Sequence, residues 1–309
     1  MAKVFVSNRL PGAALDRLED AHETDIWPGR ESPPREELLS RTADAEGLLS
    51  LLTDRVDAEL IDSAPELRAI SNYAVGVDNI DLAAATARGI PVGNTPDVLT
   101  GSTADMALAL MLAAARRIVE SDGVVRRGEW VTWEPEFLIG HDLHGSTVGI
   151  VGYGRIGRAV AQRVAGFDCE VLHTRETPLE ELLERSDFVT LHVPLNDETR
   201  AMIGEEALAR MKPTAYLVNT ARGPIVNQEA LGRALREKRI AGAALDVTDP
   251  EPLPADDPLL EAPNLTVVPH LGSATHATRE AMADLAVDNL LAALSGERMP
   301  HCANSEVYD

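Results

Sequence analysis

The stretch Gly149-Ile-Val-Gly152-Tyr-Gly154-Arg-Ile-Gly157 constrains this chain more than any other. An apolar run at 147–151 leads at once into G-x-G-x-x-G, and a helical pattern follows over 157–165. Each glycine in that spacing answers a separate need. Gly152 makes the tight turn, Gly154 lets the main chain approach a pyrophosphate, and Gly157 lets the helix pack on the strand. The helix that opens here, with Arg155 and Ile156 at its start, offers its first-turn N–H groups and the positive end of its dipole to a phosphate. Strand, glycine turn and helix form half of a βαβ unit. They predict a parallel sheet with a dinucleotide bound at its carboxyl edge.

The rest of the sequence continues that pattern. Apolar runs recur at 147–151, 170–173, 188–192, 215–219, 242–246 and 265–268, and each gap through Gly242 has room for a crossover helix. Six parallel strands with helices between them describe a doubly wound nucleotide-binding domain. Upstream, strands are expected at 4–7, 47–52 and 68–72, and helices at 13–21, 57–63 and 81–88. Gly89 stands where a left-handed C-cap is needed. Residues 94–101 (NTPDVLTG) are a turn-rich crossing into one long helix over 102–120, apolar on nearly every face and therefore buried. A last helix at about 278–294 is expected to return the chain to the first domain. A length of 309 residues fits two domains, at about 100–200 residues per domain. The expected fold is thus α/β with two Rossmann-like parallel-sheet domains. A smaller, flavodoxin-like substrate domain takes 1–98 plus 284–309, and a doubly wound dinucleotide-binding domain takes 99–283.

Charge and cysteine usage restrict the partners. The formal net charge is -22, which argues against nucleic acid and anionic membranes, both polyanions. The most apolar helical run, 106–115, is ten residues long, against about twenty for a membrane span. The N-terminal MAKVFVSNRL lacks the basic head, apolar stretch and cleavage site of a secretory signal. Two cysteines, Cys169 and Cys302, make no disulfide framework, so a reducing, cytoplasmic setting is expected. They and the scattered histidines give no metal-ligand spacing, and no metal is expected. Basic residues are 25 Arg against three Lys (Lys3, Lys212 and Lys238). With the acidic excess, that usage fits either a GC-rich genome with a solubilising surface or adaptation to high salt, where screening relieves self-repulsion.

Strand ends carry the chemistry. The strand after the glycine loop ends CEVLHTRET, where a ribose-binding carboxylate is usual; the slot near Thr174 has none, and Arg175 follows. A guanidinium pairs well with a 2′-phosphate, so NADPH is the expected cofactor, with NADH possible because Glu176 could reach a hydroxyl if the turn is shifted. Three later strands deliver Arg222, Glu251 and His270 to the same edge. Hydride transfer to a 2-oxo acid builds negative charge on the carbonyl oxygen. A His can supply the compensating proton, a carboxylate beside it stabilises its protonated form, and an Arg can hold the substrate and polarise its carbonyl.

The segments VGYGRIG (151–157), NTARGPIVN (219–227), LDVTDPEPLP (245–254) and PHLGSATH (269–276) stand in this order. Together they resemble the D-2-hydroxyacid dehydrogenase family, across essentially the whole chain. GSATHATR (272–279), LLAALSGERMP (290–300) and WVTWEP (130–135) are most similar to its glyoxylate/hydroxypyruvate reductase branch. The resemblance implies that Arg222 orients the substrate, Glu251 supports the histidine and His270 donates the proton. It places Thr103, Thr174, Arg175, His192, Pro194, Thr199, Thr220, Ala221, Asp246 and Gly272 on the cofactor side, with the glycine loop. The segment NYAVGVD (72–78) resembles the family's substrate loop, in which Val75 and Gly76 would meet the substrate carboxylate through N–H groups, with Thr53 lining the same pocket. An arm carrying Trp133 would reach toward the active site of a second copy, implying a homodimer joined through residues around 100–145. One departure stands out: the chain between Arg175 and Leu182 is shorter than this branch suggests. Other branches (phosphoglycerate or D-lactate dehydrogenases) and a non-catalytic dinucleotide sensor share the same frame.

Overall fold

The computed structural model describes residues Met1–Asp309. The first 99 residues build strands β1 (Lys3–Val6), β2 (Glu23–Ile26), β3 (Gly47–Ser50), β4 (Ala69–Asn72) and β5 (Val92–Gly93), with helices α1 (Ala14–Ala21), α2 (Arg35–Thr42), α3 (Ala58–Ser63) and α4 (Leu82–Ala87) between them. Helices α5 (Thr100–Ala115) and α6 (Ile118–Arg126) follow. Then come strands β6 (Thr147–Val151), β7 (Glu170–His173), β8 (Phe188–Leu191), β9 (Tyr216–Asn219), β10 (Gly242–Leu245) and β11 (Leu265–Val267). Helices α7 (Arg155–Val164), α8 (Leu179–Arg185), α9 (Glu205–Arg210) and α10 (Gln228–Arg236) connect successive strands from β6 to β10, and α11 (His276–Ser295) comes last. The chain divides into two units, Met1–Leu99 with Thr275–Asp309, and Thr100–Ala274.

In the first unit the five strands are all parallel, in the order β2-β1-β3-β4-β5. That is the flavodoxin-like order. Phe5, Leu48, Ile70 and Val92 point to one face and pack with Leu60, Ile61 and Ala85 of α3 and α4. Helices α1 and α11 pack together, and α11 also meets β3 and β4. α11 buries Met282, Ala283, Ala286, Val287, Leu290 and Leu294, a stripe that would be cut by a boundary at 283/284, so the whole helix belongs to the first unit. Gly47 allows this approach, since a Cβ there would lie 3.1 Å from the Leu294 side chain.

In the second unit side chains alternate between two covered faces, as a parallel sheet with helices on both sides requires. Val148, Ile150, Phe188, Tyr216, Val218 and Ala244 face α5 and α7. Val189, Leu191, Leu217, Ala243 and Leu245 face Leu182, Leu208 and Leu231 of α8, α9 and α10. All six strands are parallel in the order β11-β10-β9-β8-β6-β7. The sheet is doubly wound, with its switch point between β6 and β8. Counted from β6 the order is 2-1-3-4-5-6, whereas the usual dinucleotide domain runs 3-2-1-4-5-6. No strand lies outside β7, because only residues 174–178 join it to α8. The shortness of this connection in sequence is thus the loss of one edge strand.

The single long helix expected at 102–120 is two helices. Arg117 is left-handed at φ 52, and its guanidinium bonds both oxygens of Glu120 (2.7 and 2.8 Å) in the first turn of α6. The α5 carbonyl of Ala115 is taken by His141 N–H at 2.9 Å. Gly140 is required for that approach, since a Cβ there would lie 2.1 Å from the same oxygen.

Candidate active site

The glycine loop has the geometry its spacing predicts. Gly152 has φ +96, and a Cβ there would lie 2.6 Å from the His192 main chain at the end of β8. A Cβ on Gly157 would lie 2.2 Å from the Gly152 carbonyl. At Gly154, by contrast, nothing stands within 4 Å of a built Cβ. The loop is therefore pressed from inside at Gly152 and Gly157 and open at Gly154, just where α7 begins with Arg155 and Ile156. A loop open at Gly154 that leads into a helix N-terminus fits a pyrophosphate.

Thr174 accepts from Gly152 N–H through Oγ1 at 3.0 Å, tying the end of β7 to the turn. Arg175 is exposed. Glu176 pairs with His173 (3.6 Å) and not with Arg175. His173 also stacks on Tyr153, with centroids 3.7 Å apart. At the end of β8, His192 Nε2 meets Thr190 Oγ1 at 2.9 Å and its Nδ1 meets Thr220 Oγ1 at 3.5 Å. Burial pushes the His192 pKa down to about 3, so this ring is neutral at physiological pH. Pro194 and Thr199 belong to one local turn, in which Thr199 Oγ1 donates to the Pro194 carbonyl at 2.7 Å.

The loops that follow three neighbouring strands, β9, β10 and β11, carry Arg222, Glu251 and His270. Adjacent parallel strands lie about 4.8 Å apart, so the sheet itself groups these residues. Glu251 Oε1 lies 2.5 Å from His270 Nδ1. The carboxylate and imidazole side chains are 30% and 21% exposed, so the pair is only partly screened by water. His270 has left-handed backbone (φ 53). Asp246, at the end of β10, secures that turn: Oδ1 accepts Leu271 N–H at 2.5 Å and Oδ2 accepts Gly272 N–H at 2.8 Å. Asp246 is 1% exposed, and burial raises its pKa. Thr103 Oγ1 donates to the Gly272 carbonyl at 3.3 Å, joining the start of α5 to the same turn. Asp246, Thr103 and Gly272, all expected beside the cofactor, thus form the support of His270.

Sequence reasoning passed over the residues that support Arg222. Asn219, fully buried at the end of β9, accepts Ala221 N–H at 3.0 Å and donates to the Arg222 carbonyl at 2.8 Å. An Asn two residues before a loop turn is the signal for such an Asx turn. Arg222 Nη1 donates to the Ala221 carbonyl at 2.8 Å, which aims the guanidinium. Gly223 lies against the loop bearing Glu251, and a Cβ there would sit 1.9 Å from the Thr248 carbonyl.

The first unit carries the loop expected to meet the substrate. Val75 and Gly76 are half-buried after β4. Thr53 follows β3, where its hydroxyl meets Ser32 Oγ at 2.7 Å. Thr53, Asp54, Arg55, Asp57, Asp78 and Asn79 help line a pocket of about 360 Å³. Trp133 is 77% exposed and Trp130 59%, beside exposed Val131 and Ile139. No helix is long and apolar enough to cross a membrane.

The model of the D-isomer specific 2-hydroxyacid dehydrogenase NAD-binding domain matches residues 108–272. A glyoxylate reductase of Korarchaeum cryptofilum is 51% identical over 99% of this chain and 96% of its own length. A solved protein of Thermus thermophilus is 49% identical with a TM-score of 0.92, covering 97% of this chain and 99% of that one. The structure of an NADPH-dependent glyoxylate/hydroxypyruvate reductase from Sinorhizobium meliloti, in complex with NADP and malonate, is 32% identical with a TM-score of 0.85. That match covers 98% of this chain and 97% of the relative.

Proposed function

This chain belongs to the D-isomer-specific 2-hydroxyacid dehydrogenase family, and on that premise we propose that it reduces small 2-oxo acids, glyoxylate and hydroxypyruvate, to D-2-hydroxy acids. The observation that carries the reading is the 2.5 Å pair of His270 and Glu251 on the strand edge that also bears Arg222.

The residues divide the work. Glu251 accepts the Nδ1–H of His270, which fixes the ring and leaves Nε2–H for the substrate. As the carbonyl is reduced, His270 delivers that proton to its oxygen. Arg222 holds the substrate and stabilises the charge growing on that oxygen, a role suited to a planar fork aimed by its own backbone. The N–H groups of Val75 and Gly76 take the substrate carboxylate, with Thr53 beside them. A nicotinamide dinucleotide, when bound, supplies the hydride. Gly152, Gly154, Arg155, Ile156 and Gly157 would hold its pyrophosphate, and His192, Thr220 and Ala221 line the following strand ends.

NADPH is the preferred form in this reading. Thr174, in the slot usual for a ribose-binding carboxylate, holds Gly152 instead, and Arg175 is exposed beside it without Glu176 as a partner. The exposed apolar arm from Ile118 to Ile139, including Trp133, supports a homodimer, because soluble monomers rarely leave such a patch uncovered. We place this dimer in the cytoplasm, in keeping with two unpaired cysteines.

The test is steady-state oxidation of NADPH and NADH with glyoxylate, hydroxypyruvate and pyruvate. Turnover of glyoxylate or hydroxypyruvate with a higher kcat/KM for NADPH is expected. An Arg175→Ala variant should lose that cofactor preference. Tight cofactor binding without turnover of any of the three acids would refute the reading. Preference for NADH in the parent protein would refute the role of Arg175 alone.

A further inference from the structure

Three successive carbonyls of the loop after β4 are held by groups behind them. The Ala74 carbonyl accepts Thr95 N–H at 2.8 Å, Val75 accepts Asn94 Nδ2 at 2.8 Å, and Gly76 accepts Asn72 Nδ2 at 2.9 Å. These peptides are trans, and across a trans peptide the N–H points opposite to the C=O. Each held carbonyl therefore turns the next N–H, of Val75, Gly76 and Val77 in turn, away from its holder. None of these three N–H groups donates within the chain.

The holders are fixed in their turn. Asn72 is fully buried; its Oδ1 accepts Ser50 Oγ at 3.1 Å, and its Nδ2 also reaches Asn79 Oδ1 at 3.0 Å. Asn79 donates to the Leu51 and Asp54 carbonyls at 3.0 and 2.9 Å, which ties in the loop bearing Thr53. The Asn94 carbonyl accepts Asn289 Nδ2 at 2.9 Å, and Asn289 Oδ1 accepts His301 N–H at 2.9 Å. Gly93 makes room for this link, since a Cβ there would lie 2.8 Å from the Asn289 side chain. An amide suits both holding positions, because it donates to a carbonyl without placing a competing charge beside an anion.

We propose that Asn94 and Asn72 are positioning residues for the substrate carboxylate. By holding the Val75 and Gly76 carbonyls they present three consecutive backbone donors, already aimed, to the two carboxylate oxygens. Such preorganisation lowers the cost of ordering the loop on binding. The inference rests on the reading that this loop takes the substrate carboxylate.

The experiment compares Asn94→Ala and the isosteric Asn94→Asp with the parent, using glyoxylate as the probe at saturating NADPH. Loosening donors to a charged group is expected to raise KM for glyoxylate about ten- to hundredfold, with kcat within about threefold. The Asp variant should be the worse of the two, because its carboxylate faces the Val75 carbonyl and repels the substrate. NADPH affinity, read by fluorescence titration, should stay at the parent value in both. An unchanged KM in either folded variant, or a fall confined to kcat, overturns the positioning role and leaves the reductase reading standing. If Asn94→Ala does not fold, Asn94→Asp decides by the same criteria. Failure of the parent to turn over glyoxylate overturns both readings.

Discussion

Gly154 and Gly157 stand three residues apart in one motif, yet their surroundings predict opposite phenotypes for the same substitution. A Cβ on Gly157 would lie 2.2 Å from the Gly152 carbonyl, well inside any tolerated approach, and 3.1 Å from Ile150 Cγ2. The obstacle is main chain held by Gly152 itself and by Thr174, so relief requires α7 to shift on β6. Overpacking of this kind costs about 1–3 kcal/mol or somewhat more. At about 2–4 °C per kcal/mol for a domain of this size, Gly157→Ala should lower Tm by roughly 2–12 °C. At Gly154 the added methyl meets nothing, and the backbone is extended at φ -80. Reduced freedom of the unfolded chain favours Ala by about 0.4–1 kcal/mol. The poorer N-cap opposes it by about as much. Gly154→Ala should therefore melt within about 2 °C of the parent, while losing cofactor affinity because its methyl occupies the face left for the pyrophosphate. Calorimetry and NADPH titration of the two variants settle the matter. A Gly157→Ala protein that melts with the parent would refute the argument, as would a Gly154→Ala protein that melts low and binds NADPH normally.

Other perturbations have equally definite outcomes. Arg222→Lys should lower kcat/KM at least about hundredfold, because a point charge cannot replace a planar fork; near-parental kcat/KM would exclude the clamp role. Asp54 is 2% exposed, and burial raises its pKa above the unfolded value. Its contribution to stability is full below the unfolded pKa and is lost as pH rises through the folded one. Asp54→Asn keeps an acceptor for Leu51 N–H, so the variant should gain stability relative to the parent as pH rises from 4 to 7; parallel urea-unfolding curves at the two pH values would contradict this. Added KCl should raise Tm if the net charge of -22 is self-repulsive in dilute buffer, and a flat response removes the high-salt interpretation.

The parts legible in the sequence were those fixed by local chemistry. The glycine loop, the strand ends bearing Arg222 and His270, and the Gly89 cap (φ 67) each need a residue type at one backbone position, and the sequence displays it. β2 escaped notice because ETDI is polar, short and half-exposed at a sheet edge, and β5 because it has two residues. The break at Arg117 was hidden inside a continuous apolar pattern, which reports burial and not direction. Asp246 reads as a strand-end carboxylate ready for a ligand, but its two oxygens are taken by N–H groups 25 and 26 residues away. Asn94 belongs to the same class: its partners Val75 and Asn289 are remote in sequence, and no spacing rule connects them.

The absent strand outside β7 has a colloidal consequence. β7 ends the sheet, and an edge strand offers unpaired amides and carbonyls to any other extended chain. Here the edge is only four residues long, opens with the exposed Glu170 tied to Arg185 at 2.8 Å, and runs into Arg175, Glu176 and Pro178. The net charge of -22 keeps two molecules, and with them two such edges, apart near neutral pH in dilute buffer. As pH falls toward the isoelectric point near 4.7, that repulsion fades while the hydrogen-bonding groups remain. Aggregation of this protein near that pH should therefore be able to recruit the β7 edge.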